Sequence, residues 1–218
     1  MKTWDPPERD KIKVSWSGKV ISIQSRIRLT RSFDQRTHSY LGYTLTIQGS
    51  VDGKEQIFTV GIGKEAQAKY QFEAGQVVSG KSERVQDPKS EVSEYYKTSE
   101  LRVVEKGMEQ KGAGPPWRGV PPVLEVYRER GHRRLDSRTY ESKCRVCIWG
   151  CCMPVEMIID HWNPRKKKYR FETFCYGPKS CPFYRAGPTR KVPGRKGMIW
   201  EEEDWIDEDA VSHRGMDE

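Results

Sequence analysis

The first 143 residues contain no cysteine; all six lie between Cys144 and Cys181. No apolar run approaches the ~20 residues of a membrane span, so no membrane-spanning helix is expected. The chain also lacks a G-x-x-x-x-G-K-[ST] phosphate loop, a G-x-S-x-G elbow and an H-E-x-x-H helix. His38, His132, His161 and His213 are scattered, and no carboxylate pair sits in a setting that implies acid–base work. A non-catalytic role is the expectation. Met1-Lys2-Thr3-Trp4-Asp5-Pro6-Pro7 has no apolar stretch, which gives the further expectation of a cytoplasmic protein. Hydrophobic residues make up only 35% of the 218 and charged residues 32%, a composition for a modest core with long polar connections.

What is present is charge, unevenly spread. Residues 111–200 carry a net +13, whereas residues 201–218 carry −8. A cationic cysteine-rich half points to a partner with many phosphates. The plain alternative is a solvated surface that keeps the chain soluble.

The cysteines carry the most specific signal. Cys144-Arg145-Val146-Cys147 is a C-x2-C turn, and Cys151 and Cys152 follow at once. Two β-rich runs, Val155 to Trp162 and Tyr169 to Phe174, are joined by a polar turn at Asn163-Pro164-Arg165. His161 falls within the first run, as a strand side chain. Cys175 and Cys181 then bracket Tyr176-Gly177-Pro178-Lys179-Ser180. Two cysteine turns flanking a hairpin resemble a zinc ribbon, in which each turn supplies two thiolates to a tetrahedral zinc ion with Zn–S near ~2.3 Å. Cys144, Cys147, Cys175 and Cys181 are the expected ligands, with Cys151 and Cys152 as alternates because the last pair is C-x5-C. Two alternatives stay open: an iron–sulfur cluster on Cys144, Cys147 and Cys151 plus a distant cysteine, and disulfides, which need an oxidising compartment.

The first half reads as strands. Ile12, Val14 and Trp16 alternate with polar residues; after Gly18, Ile21, Ile23, Ile27 and Leu29 share a face, so a bend beside the glycine is expected. A second strand runs from about residue 39 to 51, with Leu41, Tyr43, Leu45 and Ile47 on one face. Asp52-Gly53 is a two-residue hairpin turn. A third strand follows to residue 63, then a short helix over 64–72, and two more strands at 76–85 and 99–105. The order β-β-β-α-β-β resembles the OB-fold, a five-stranded Greek-key barrel, over residues 11–106. That resemblance implies oligonucleotide or oligosaccharide binding on the face of strands two and three and the neighbouring loops. Arg26, Arg28, Arg31, Arg36 and Tyr40 are the candidates there: cations for a backbone, a ring for a base. Tyr43 and Phe58 are in phase with aliphatic residues and read as core. Arg26 and Arg28 also read as edge charges that block sheet-to-sheet pairing.

The second half adds Arg165, Lys166, Lys167, Lys168 and Arg170 at the hairpin tip, and Arg190, Lys191, Arg195 and Lys196 in a Gly/Pro-interrupted run. The tail from Trp200 to Asp209 mixes acids with large apolar side chains. It resembles in style the acidic-hydrophobic tails of bacterial single-strand DNA-binding proteins, which implies a protein partner through residues 200–209. It would otherwise fold back on the protein's own basic surface, or pack as a short amphipathic helix.

The fold class expected is mainly β: an OB-like barrel (1–107), a Pro/Gly- and Arg-rich connector (108–140), a basic zinc-ribbon-like hairpin domain (141–200) and an acidic aromatic tail (201–218). The expected function is binding of single-stranded or structured nucleic acid, RNA favoured over DNA on charge density, within a larger complex. The alternatives are an accessory subunit of an acyl-CoA-type metabolic enzyme, whose known members place the ribbon before the barrel, and an iron–sulfur protein.

Overall fold

Strand β1 (Lys13–Arg31) is 19 residues long, and every large element is arranged around it. The computed structural model describes residues 12–32, 34–107, 114–163, 165–202 and 205–216. The protein is mainly β, 48% strand and 16% helix.

β1 turns into β2 (Arg36–Val51), which returns antiparallel along its whole length, from Arg31↔Arg36 to Trp16↔Val51. Asp52 and Gly53 make the tight turn into β3 (Lys54–Ile62), as their sequence demands. Helix α1 (Lys64–Tyr70) follows, then β4 (Val77–Arg84) and β5 (Tyr95–Glu105). β4 pairs with the first third of β1, β5 pairs with β4, and β5 meets β3 in parallel at Val60↔Tyr95. The pairings therefore close a ring in the order β1-β2-β3-β5-β4-β1.

The bend expected at Gly18 has two parts. Gly18 lies opposite Gly49, and a Cβ on Gly18 would come within 2.4 Å of the Gln48 carbonyl oxygen; only glycine permits that approach. The phase slip itself is a bulge between Val20 and Ser22. Before it Trp16 and Val20 face inward; after it Ile23, Ile27 and Leu29 do. Ile21, which falls in the bulge, is only half-buried.

Beyond Lys19, β1 has left β4, and its free edge is taken further along by β7 (Gly150–Ile158), parallel through Leu29↔Val155 to Arg31↔Met157. β7 pairs antiparallel with β8 (Lys167–Cys175), and β8 with the two-residue β6 (Arg133–Arg134). Helix α2 (Leu124–Arg130) lies in the connector. A short helical segment runs from Ser137 to Cys144. β9 (Arg190–Pro193) and β10 (Ile199–Glu202) form a separate ribbon, and α3 (Trp205–Ala210) follows.

One hydrophobic cluster crosses the boundaries expected near residues 107 and 141. It joins Ile27, Leu45 and Phe58 of the ring to Tyr127 of α2 and to Cys151, Val155, Phe174 and Tyr176. Tyr43 and Phe58 are buried, as their phase predicts. A second, smaller cluster of Leu135, Tyr140, Cys144, Cys147 and Cys175 sits beside it, covered by Trp117 and Trp149.

Candidate metal centre and nucleic-acid interface

The hairpin register stacks the two cysteine turns. Gly150, the first residue of β7, pairs with Cys175, the last of β8, so the 144–147 turn lies against the segment leaving Cys175. A Cβ at Gly150 would come within 2.5 Å of the Cys144 carbonyl oxygen. The side-chain amide of Gln24 on β1 donates to the carbonyls of both Cys144 and Cys147 at 2.9 Å. Tyr140 in turn donates to Gln24 Oε1 at 2.7 Å.

Four of the six thiols share one neighbourhood. Burial pushes the Cys144 thiol up to about 12, and the charges of Cys147, Cys175 and Cys181 add to the rise. Burial pushes Cys147 up to about 11, against backbone N–H groups of Trp149, Trp117 and Gly150 that favour its thiolate. Burial also raises Cys175, opposed by the Gly177 N–H, which donates to its Sγ at 3.4 Å, and by Arg133. The other two thiols are turned elsewhere by the alternation of β7. Cys151 is wholly buried in the main core and donates to the Ser25 carbonyl at 3.3 Å. Cys152 packs at the edge of the small cluster, where burial and Glu141 raise it and Arg145 opposes them. Among the described residues no three His, Cys, Asp or Glu side chains stand ready-made in metal-binding geometry. The donor set itself fits a soft four-coordinate ion: four thiols, with N–H groups directed at the sulfurs of Cys147 and Cys175.

The wide C-x5-C loop is held by arginines that sequence reasoning missed. Arg130 Nε donates to the Tyr176 carbonyl at 2.8 Å, and Arg133 Nη2 to that of Pro178 at 2.9 Å. Arg214 donates to the carbonyls of Tyr176 and Gly177 at 3.1 and 3.3 Å. No local pattern marks these residues, because a guanidinium seeking a backbone carbonyl leaves no periodicity.

The expected nucleic-acid contacts divide into two groups. Arg26 is spent on Glu91, with Nη2 2.6 Å from the carboxylate. Arg31 is 3% exposed, between Glu202 at 2.9 Å and Glu172 at 3.6 Å. Arg36 donates to Glu202 at 2.7 Å, and Arg170 and Arg190 both pair with Glu172. Tyr40 is half-buried, with the Arg128 guanidinium 4.9 Å from its ring centroid, so its face is already stacked. Arg28 is half-buried on β1. The second group is open. Arg165, Lys166, Lys167 and Lys168 are exposed at the β7–β8 tip, with Lys167 pairing to Glu156 at 2.7 Å. Lys191 faces Glu201 at 3.4 Å, and Lys196 is exposed. Arg195 lies 3.8 Å from Asp160 and so joins the tip.

The tip also presents Trp162, 85% exposed, which sequence reasoning placed in a strand. β7 ends at Ile158; Asp160 then turns the chain, its side chain accepting from the Trp162 N–H at 3.1 Å and its carbonyl from Asn163 at 3.0 Å. His161 is therefore an exposed turn residue, 3.3 Å from Asp34, and not a mid-strand side chain. The available signal was a tryptophan next to an Asn-Pro turn and four consecutive cations. Pro164 lies outside the described residues.

The acidic tail meets the protein's own basic groups. Glu202 accepts from Arg36 and faces Arg31; Asp207 accepts from Arg134 Nε at 2.6 Å and from the Arg134 N–H at 3.0 Å. Val211 is buried, and His213 Nε2 lies 2.7 Å from the Glu129 carbonyl. Trp205 is 58% exposed and Trp200 41%. Glu203 and Asp204 lie outside the described residues.

Beneath these pairs, the rings of His38 and His132 are 4.7 Å apart. Burial, then Arg36 and Arg31, push His38 down to about 4. Burial, then His38 and the arginines at 36, 31 and 190, push His132 well below its ordinary value. Both rings are thus neutral in the fold, while the unfolded chain takes up protons below about pH 6.5. Their contribution to stability is intact above that pH and is lost as pH falls through about 4. We expect unfolding free energy to drop by roughly 1–3 kcal/mol between pH 6.5 and 5, above the carboxylate range. His132→Phe should flatten that slope in urea melts; an unchanged slope would refute the assignment.

Comparison of the chain with protein-family models, with curated proteins and with solved structures finds no match in any of the three. No helix among the described residues is long and apolar enough to cross a membrane.

Proposed function

We propose that the protein is a non-catalytic binder of single-stranded or structured nucleic acid, RNA before DNA, built from an OB-like barrel and a cationic four-cysteine zinc ribbon. It acts in the cytoplasm as part of a larger complex. The observation that carries the reading is the β7–β8 tip: Trp162, exposed to 85%, beside Arg165, Lys166 and Lys168, with Arg195 3.8 Å from the turn's Asp160. A ring that free gains nothing from its own fold, and a base stacked on it gains roughly 1–3 kcal/mol. The cations around it suit the phosphates on either side of that base.

The closed circuit β1-β2-β3-β5-β4-β1, with a helix between the third and fourth strands, supports the OB-like reading. Neighbourhood and N–H donors support Cys144, Cys147, Cys175 and Cys181 as the zinc ligands. Zinc would supply folding energy to the small cluster and no chemistry. The interface falls on Arg165, Lys166, Lys167, Lys168, Lys191, Arg195 and Lys196, with Trp162 added. Arg26, Arg31, Arg36, Arg170 and Arg190 are paired with carboxylates of the fold and lie outside the interface.

Salt titration tests this. With about six phosphate contacts to a single strand, affinity should fall roughly two to three orders of magnitude between about 50 and 200 mM salt. Binding to single-stranded RNA that ignores salt would overturn the reading.

A further inference from the structure

We propose that the notch between Arg31 and Arg36 is a phosphate-binding site whose ligand's place is held by the tail's own Glu202. Glu202 presents one carboxylate oxygen to each arginine: Oε1 lies 2.7 Å from Arg36 Nη1 and Oε2 2.9 Å from Arg31 Nη2. Two oxygens of one anion bridging two guanidiniums is the arrangement a phosphate takes.

The fit of the carboxylate is incomplete. None of the three guanidinium nitrogens of Arg31 makes an aligned hydrogen bond among the described residues, nor do Arg190 Nε, Arg170 Nη2 or Glu202 Oε2. A carboxylate has two acceptor oxygens in one plane, whereas a phosphate has up to four in a tetrahedron and reaches donors from several directions. The charge balance points the same way. Without Glu202, Arg36 loses the carboxylate it pairs with, and the guanidiniums of Arg31, Arg170 and Arg190 converge on Glu172. A buried cluster with that excess calls for a replacement anion.

Room and release are both present. A cleft of about 410 Å³ opens on the notch, lined by Arg31, Arg36, Val192, Trp200, Glu202 and Trp205 among others. Glu202 ends β10, a four-residue strand paired to β9 alone among the described residues, with Ile199 and Trp200 exposed. Peeling that strand away costs its pairing with β9 and uncovers Val192 and the buried part of Trp200. The phosphate is either a free ion or part of a nucleic-acid backbone. Only the second source rests on the function proposed above, where the tail would act as a competitor that a bound strand displaces.

The experiment compares the full-length chain with Glu202→Gln and with Arg36→Gln/Glu202→Gln, using inorganic phosphate against chloride at equal ionic strength. Glu202→Gln should melt lower than the parent in chloride, recover in phosphate, and bind phosphate roughly tenfold more tightly than the parent, because the competing anion no longer holds the site. The double variant should lose that recovery. Equal responses to phosphate in all three proteins would overturn the proposal. Should Glu202→Gln not fold, the parent carries the test. Phosphate should speed chymotryptic cleavage near Trp200 and Trp205 relative to chloride, and an unchanged rate would again overturn it. A single-stranded oligonucleotide forms the second arm. If it binds none of the proteins while phosphate recovery persists, the notch stands and the nucleic-acid reading falls. If it binds in a tip-dependent way but phosphate has no selective effect, the notch alone falls.

Discussion

Stripping the proposed zinc ion with a strong chelator should melt the cysteine turns and leave the five-strand ring folded. The small cluster buries only Leu135, Tyr140 and three cysteines, with two tryptophans laid over it. That apolar surface, the Gln24 bonds to the turn and the arginine bonds to the loop are together small beside a structural zinc ion, which would contribute on the order of 10 kcal/mol. Hydrogen-exchange protection should vanish over residues 140–148 and 177–184, and Trp117 and Trp149 fluorescence should shift. Protection should persist in β1, β2 and β7, because Cys151, Val155 and Phe174 belong to the main core. Cys175→Ser should take the protein from one bound zinc to none and cost several kcal/mol. Cys151→Ala should keep the metal and cost about 1–2 kcal/mol, the size of a small packing defect. A metal-free protein by elemental analysis, or an unaltered melt in chelator, would remove zinc from the account. A brown protein absorbing near ~400 nm would replace it with a cluster.

The second large effect concerns the tip. Reversing Lys166, Lys167 and Lys168 to glutamate should weaken single-strand affinity about 10²–10³-fold at ~0.1 M salt and shallow the salt slope. Trp162→Ala should cost roughly 1–3 kcal/mol of binding and leave the melting temperature unchanged, since the ring buries almost nothing. Arg26→Ala should behave in the opposite way. It strands the buried carboxylate of Glu91, 2.6 Å from the lost guanidinium, and should cost about 3–5 kcal/mol of stability with little change in binding beyond that. Wild-type affinity in the reversed tip variant would sink the proposed interface.

Much of the ring was legible from the chain alone. Asp52-Gly53, the alternation in β3 and in β2 from Tyr43 to Ile47, and the apolar phase of Tyr43 and Phe58 are local signals, and the structure bears each of them out. Before Gly42 the phase of β2 slips: the register skips Leu41, which is only half-buried, and Tyr40 packs against the core in its place. The start of β5 was not legible. It begins at Tyr95 and not near Ser99, because positive φ at Lys97 and Glu100 and repeated register shifts against β4 break the period that alternation needs. The arginines were misread for a different reason. A strand face carrying Arg26 and Arg28, and a loop with Arg31 and Arg36 after it, look the same to local pattern whether the cations face a ligand or a distant carboxylate. Here Arg26 meets Glu91 across 65 residues of sequence and Arg36 meets Glu202 across 166.

By itself, the sequence determined a mainly β protein, a strand order with a helix after the third strand, and two cysteine turns flanking a hairpin, because turn chemistry and side-chain alternation act between near neighbours. Only the tertiary structure decided that β7 completes the edge of β1, that Cys151 and Cys152 stand apart from the other four thiols, and which cations remain open. Those outcomes depend on which charges and edges meet after the chain closes on itself, and Coulombic pairing and strand pairing across more than a hundred residues leave no trace in local pattern.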